Sequence, residues 1–374
     1  MTDLQSLFFY LFTFAVATVF IYLGNSKKYS ARLSVVFVAT GLIVPAALSG
    51  FRYGLGLDYS VYLNIYDNIL NRLIADIFYS ANGIEVLFGL LSLASKTLFN
   101  NPIPLFMTYS LMTVGFFYLG IKKLQVKYPW LLYFLFLLIV FPLSFNIMKQ
   151  ALSMSIVFFA LSCAMNGEVR KSVLLTLIAM LSHMSAIVAL PFIFVASIWR
   201  SSLSKDRFTR LFIKYTVFLI ALGVVFYLVT PLMLDSGVVD KYSDLYGSGG
   251  YYADSEASPI RILLKLLVIG LILMFYRHFH RKTDQFNLLF LFALSELLLL
   301  IIGLGSAPIS RIALYLLPFA LVILSSFPGL FSRGTSERLA ILSMILFGII
   351  YFVALYYVKG GSGIFPYNFW LGTP

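Results

Sequence analysis

The side chains best equipped for chemistry in this chain are few, and they occur in a fixed order. The run FRYGLGLDYSVY, Phe51 to Tyr62, sets Arg52 and Asp58 among Gly54, Gly56, Tyr53, Tyr59 and Tyr62. Glycines let a backbone approach a ligand closely, and a guanidinium offers a planar fork suited to phosphate oxygens. Arg52 could equally anchor a helix end at a membrane surface. Further on, FNIMKQALSMS carries Asn146, Lys149 and Gln150 between two apolar runs, where a bare turn would also serve. His183 stands apart from the pair His278 and His280. Its imidazole suits a general base, although a lone histidine in an apolar stretch is commonly a satisfied core residue. Arg311 follows GLGSAP and enters an apolar stretch directly, so it needs an anionic partner: Glu296, Asp58 or a ligand phosphate.

These residues must be positioned by helices in a membrane. The 374 residues are 61% hydrophobic and 11% charged, with a mean hydropathy of +0.94, which excludes a water-soluble domain and predicts an all-α polytopic membrane protein. Cys163 is the single cysteine and lies in an apolar run, so neither a disulfide framework nor a thiolate metal site is available. The first apolar stretch lacks a basic segment before it and reads as a span, not a cleaved signal. Apolar runs predict spans at 6–24, 31–49, 103–121, 130–147, 149–166, 209–231, 260–276, 286–304, 310–327 and 337–358, for about 10–12 in all once two ambiguous stretches are counted. The ambiguous stretches are 83–101, which carries Glu85 and Lys96, and 172–199, interrupted at Ser182 to Ser185 and by Pro191.

Charge placement orients the spans. Basic clusters at Lys27, Lys28 and Arg32, at Lys122, Lys123 and Lys127, at Arg170 and Lys171, at 200–210, at Arg277, Arg281 and Lys282, and at Arg333 and Arg338 belong on the cytoplasmic side. Both termini then lie outside, 172–199 enters and returns as a hairpin with His183 near its outer turn, and 83–101 dips or lies in the outer interface. Asp58, Asp67, Asp76, Asp235, Asp240, Asp244, Asp254 and Glu256 fall on the outer face. The net charge of +12 is thus a topology signal, and nucleic acid is excluded as a partner. The single membrane domain, 1–374, has two sizeable outer loops. In 50–82, Val61, Leu63, Ile65, Ile69, Leu70, Leu73 and Ile74 suggest a surface helix. In 235–259, tyrosines and carboxylates suggest a flap that stacks on sugars, although an interfacial aromatic belt explains the tyrosines equally well. No internal repeat pairs one half of the chain with the other, against an inverted-repeat transporter.

Taken in order, Arg52-x-x-x-Gly56-x-Asp58-Tyr59-x-x-Tyr62, Phe145-Asn146-x-x-Lys149-Gln150-Ala151, Ala179-x-x-Ser182-His183-x-Ser185, Arg311-x-x-x-Tyr315 and Pro366-Tyr367-x-Phe369 resemble the EpsG branch of Wzy-type bacterial polysaccharide polymerases over nearly the whole chain. The family usually has arginine where this chain has Lys149, which keeps the charge and loses the bidentate fork.

The resemblance implies a GT-C-like, inverting glycosyltransferase of the bacterial inner membrane. Such an enzyme uses undecaprenyl-pyrophosphate-linked oligosaccharides as donor and acceptor on the outer leaflet, with a chain-length regulator as a further partner. On that reading Arg52, Arg311 and Lys149 stabilise the departing diphosphate, and His183 or Asp58 accepts the proton of the attacking hydroxyl. Tyr59, Tyr62, Asn146, Gln150, Tyr315 and Tyr367 line the sugars. No paired-carboxylate motif occurs in the first outer loop, so no metal and no cofactor is expected. A ligase using the same donor would share these features, whereas a lipid-linked oligosaccharide flippase should show charges along a cavity open to both sides.

Overall fold

A computed structural model describes residues 1–71, 85–201, 259–282, 285–305 and 307–370. Among these residues the protein is all-helical, apart from one antiparallel bridge between Arg52 and Phe369. Helix α1, Asp3–Gly24, opens on a capping box in which Thr2 accepts from the Gln5 amide while the Gln5 side chain accepts from the Thr2 amide. Ser30 caps α2, Ala31–Gly50, through the Leu33 amide. The following helices are α3, Tyr59–Asp67; α4, Val86–Phe99; α5, Ile103–Leu124; α6, Pro129–Ile139; and α7, Met148–Met165. Then come α8, Val169–Ser182; α9, Ala189–Ser201; α10, Pro259–Met274; α11, Tyr276–Lys282; and α12, Phe286–Ile302. The chain closes with α13, Ala307–Ala313; α14, Leu317–Ser326; and α15, Thr335–Phe352.

Six helical stretches among the described residues are long and apolar enough to cross a bilayer: Asp3–Gly24, Ala31–Gly50, Ile103–Leu124, Met148–Met165, Ile309–Leu330 and Thr335–Val358. They coincide with six of the ten expected spans. The expected span 130–147 is instead α6 followed by a 3-10 turn at Phe141–Phe145, where Pro142 removes a backbone donor. The expected 260–276 and 286–304 are the shorter α10 and α12, and the stretch 83–101 is the 14-residue α4. The expected span 209–231, residues 235–258 of the second outer loop and residues 72–82 of the first lie outside the described residues.

Helix α7 is the hub. Its spanning window is 94% buried, and α5 and α8 pack along it, as an apolar helix without a polar stripe requires. Ser172 donates to the Ala160 carbonyl at 2.6 Å, and Ser182 donates to the Lys149 carbonyl at 2.9 Å, so α8 runs antiparallel to α7. Past His183 the chain turns back. Ser185 lies 2.8 Å from the Tyr315 hydroxyl, whereas Phe192 meets Phe292, which meets Phe319. Helices α8 and α9 therefore form a hairpin with His183 at its tip, beside the start of α7.

Of the expected surface helix in 50–82, the described part is α3 and the turn after it, with Val61 and Leu70 exposed; Leu73 and Ile74 lie outside the described residues. Helix α3 buries Tyr59, Tyr62 and Tyr66 at helical spacing, and Val61 is 50% exposed. The tyrosines reach α5 and the loop before α7, which a tall aromatic ring with a polar tip can do and a valine cannot.

Placing the basic clusters inside gives an expected labelling result. In a Cys163→Ser background, Asn100→Cys reacts with an impermeant maleimide in intact cells, and Lys28→Cys reacts only after permeabilisation. Labelling of Lys28→Cys in intact cells would invert the orientation.

Candidate functional site

The five motifs converge on one end of the bundle. The C-terminal segment clamps the first outer loop: the Tyr53 amide donates to the Asn368 carbonyl at 2.9 Å, the Trp370 amide to the Phe51 carbonyl at 2.7 Å and the Gly56 amide to the Gly363 carbonyl at 3.0 Å. Gly56 then presses on the break before α7. At φ +99°, a Cβ there would fall 1.9 Å from the Phe145 carbonyl oxygen. Asn146, in that break, accepts the Asp58 amide on Oδ1 at 3.1 Å. The Tyr62 hydroxyl donates to the Asn146 carbonyl at 2.9 Å and accepts the Met148 amide at 3.1 Å. These bonds fix where α7 begins, and hence where Lys149 and Gln150 point. Gly56→Ala is accordingly expected to abolish folded, membrane-extractable protein, which size-exclusion chromatography checks; a monodisperse variant would contradict this packing.

At the start of α7, Lys149 donates to Glu85 Oε2, and His183 Nδ1 lies 3.0 Å from Glu85 Oε1. Glu85 precedes α4, is 9% exposed, and ties α4, α7 and the hairpin tip together. Burial pushes its carboxyl upward, but the His183 hydrogen bond and the Lys149 charge outweigh this and hold it at about 2. With Glu85 ionised the proton of this contact lies on Nδ1, and in the neutral imidazole Nε2 is then the acceptor. That tautomer is the one a general base needs. Because the folded carboxyl is depressed, Glu85 contributes stability in full above its ordinary 4.5 and loses it as pH falls toward about 2. The gap in thermal unfolding between the protein and Glu85→Gln should therefore be constant above pH 5 and shrink below pH 4; a gap independent of pH would contradict the ionised bridge.

Gln150 extends the cluster to Arg311. Its Nε2 donates to the Arg311 carbonyl at 2.8 Å, and Gln150 Oε1 is buried without a hydrogen-bond partner among the described residues. One turn on, the Tyr315 hydroxyl joins Ser185 at 2.8 Å and Ser153 at 3.1 Å, and Ser153 donates to the His183 carbonyl at 3.5 Å. Glu296, one of the partners considered for Arg311, is instead paired with Lys265 inside the bundle.

Arg52 sits differently from the expected phosphate ligand. Its side chain is fully enclosed, at 0% exposure. The guanidinium lies 4.6 Å from the Phe145 ring centre and 4.9 Å from that of Phe106, with Nη2 3.9 Å from the Met148 sulfur. Among the described residues Nε and Nη1 find no acceptor. Burial lowers the group to about 10, still a cation at neutral pH. Aromatic faces partly replace the lost water.

Tyr59, Tyr62, Tyr315 and Tyr367 are likewise interior, none more than 5% exposed. Tyr367 donates to the Leu48 carbonyl at 2.7 Å, and Tyr59 stacks on Phe106 at 5.3 Å. They wall the site from within; exposed rings beside them are Tyr53, in edge contact with Trp370, and Phe369, in edge contact with Tyr367. Asp58 is 8% exposed at the start of α3. Glu85 is the residue that sequence reasoning did not nominate, and its only signal was a carboxylate ahead of an apolar run. Among the described residues no group of three or more His, Cys, Asp or Glu side chains is placed to hold a metal.

Fold and site together define a multi-pass membrane protein, all-helical among the described residues, in which Glu85, Lys149 and His183 meet at one end of the bundle. The EpsG family model matches residues 35–369, so the chain belongs to the EpsG family. Membership supports a polysaccharide polymerase-type role in broad terms. No curated protein and no solved structure matches the chain.

Proposed function

We propose that the protein transfers a growing glycan from a polyprenyl diphosphate onto the next lipid-linked repeat unit at the outer leaflet of the bacterial inner membrane, with inversion at the anomeric carbon. The observation that carries this reading is the Glu85 carboxylate, which holds a cation, Lys149, on one oxygen and a histidine, His183, on the other. The acceptor hydroxyl gives its proton to His183 Nε2 while its oxygen attacks the anomeric carbon. The bond from that carbon to the diphosphate breaks, and the charge that grows on the diphosphate is met by Lys149 and Arg311. Arg52, enclosed beneath Phe145 and Met148, supports this end of the site through its field and by holding the start of α7, without direct contact. Asp58 shapes the same loop.

A ligase would use the same donor with a different acceptor. Purified protein in liposomes, given donor with either a second lipid-diphosphate repeat or a lipid acceptor lacking the diphosphate, separates the two. Extension confined to the diphosphate-linked acceptor supports the polymerase; extension confined to the other makes the protein a ligase.

A further inference from the structure

Helices α1 and α15 both pack on α6, and they do not stay together along its length. At one level they touch through Phe14 and Phe352, with ring centres 5.9 Å apart. Toward the other end of α1 they part, leaving an apolar groove of about 690 Å³. Leu11, Ala15 and Val19 form one wall, Phe134 the floor, and Ile345 and Ile349 the other wall. The groove is a wedge: closed by aromatic rings near the level of Phe14, and open at Tyr22 and Trp130, whose rings meet edge-on at 6.1 Å.

The open end is also the basic end. Lys27 and Lys28 follow Tyr22 within six residues in the turn to α2, both exposed, and among the described residues neither has a carboxylate partner. Lys127, three residues before Trp130, shares Glu337 with Tyr128. Tyrosine and tryptophan settle at the headgroup level of a bilayer, so Tyr22 and Trp130 mark the depth at which a lipid headgroup would sit. Exposed lysines just beyond that depth attract an anionic one.

We propose that this wedge is a binding site for an anionic phospholipid of the leaflet on the basic side. One acyl chain lies between α1 and α15 over Phe134, and the phosphate lies beside Lys27 and Lys28. The site is separate from the Glu85 cluster and independent of the reaction proposed above. It explains why α1 and α15 diverge around a short helix without a protein side chain filling the gap: a lipid chain completes the packing.

Tryptophan quenching reads this directly, because Trp130 lines the groove. The full-length protein is placed in nanodiscs of unlabelled phosphatidylcholine containing a small fraction of either chain-brominated phosphatidylglycerol or chain-brominated phosphatidylethanolamine. The expected result is a loss of fluorescence half-saturating at a roughly tenfold or more lower fraction of the anionic lipid, the preference that two lysines supply. Trp130→Phe should remove the excess loss, and Lys27→Gln with Lys28→Gln should bring the two lipids level. Equal quenching by both lipids would reduce the groove to ordinary solvation by bilayer chains and overturn the proposal. So would an excess that survives Trp130→Phe or the double lysine change.

Discussion

Replacing His183 with alanine is expected to abolish chain extension while donor binding persists. The loss follows from the role of Nε2: a positioned base in proton transfer contributes typically about 10²–10⁴-fold, and Glu85 orients this imidazole through Nδ1. The imidazole is not part of the hydrophobic core, and its removal leaves the Lys149–Glu85 pair to hold α4 on α7. Glu85→Gln tests the same dyad from the other side. An amide keeps the shape, but it no longer fixes the proton on Nδ1 or compensates Lys149, so extension should fall with donor affinity little changed. Glu85→Ala goes further and leaves Lys149 without its buried counter-charge, at a cost of about 3–5 kcal/mol. Initial rates and donor binding on the same preparations separate these cases. A fully active His183→Ala would remove the histidine from the chemistry.

Replacing Arg311 with alanine is expected to lower the rate at saturating substrate by about 10²–10³-fold, the usual effect of removing one group aimed at charge that develops in the transition state. The backbone of Arg311 is fixed by Gln150, so the loss reports the guanidinium and not a displaced helix. Arg311→Lys should recover part of the rate, because charge survives and the fork does not. A fall in donor affinity alone, with the saturated rate unchanged, would make Arg311 a uniform binding group.

Much of this site is legible in the sequence because ionisable side chains are scarce in it. His183, Lys149, Arg311, Arg52 and Asp58 stand out against hydrocarbon, and the structure brings their segments to one end of the bundle. Glu85 was visible only as a blemish in an apolar run. Its meaning depends on contacts 64 and 98 residues away, which no local period encodes. The tyrosines mislead for a related reason: a ring that stacks on a sugar and a ring that packs a helix have the same composition, and Tyr59, Tyr62 and Tyr66 follow the buried spacing of α3. Arg52 looked like a phosphate ligand because glycines and a carboxylate surround it in sequence. In space, Phe106 and Phe145 enclose it.

The spans show the same division. Long uniform runs such as Asp3–Gly24 and Thr335–Val358 were readable from hydropathy alone. The interrupted run 172–199 was readable as a hairpin turning near His183, where the backbone is extended; the break inside 130–147 was not, because Pro142 follows the end of a helix that hydropathy averages across.

On the proposed function this chain itself forms glycosidic bonds at the expense of a lipid diphosphate. The most direct measurement supplies purified protein in liposomes with a single lipid-diphosphate-linked repeat unit and follows glycan length, free polyprenyl diphosphate and the anomeric configuration of the new linkage. The expected result is a ladder of products, one diphosphate released for each bond formed, and a linkage inverted relative to the donor. Unchanged repeat units that merely appear in the opposite leaflet, with no diphosphate released, would contradict it and make the protein a transporter.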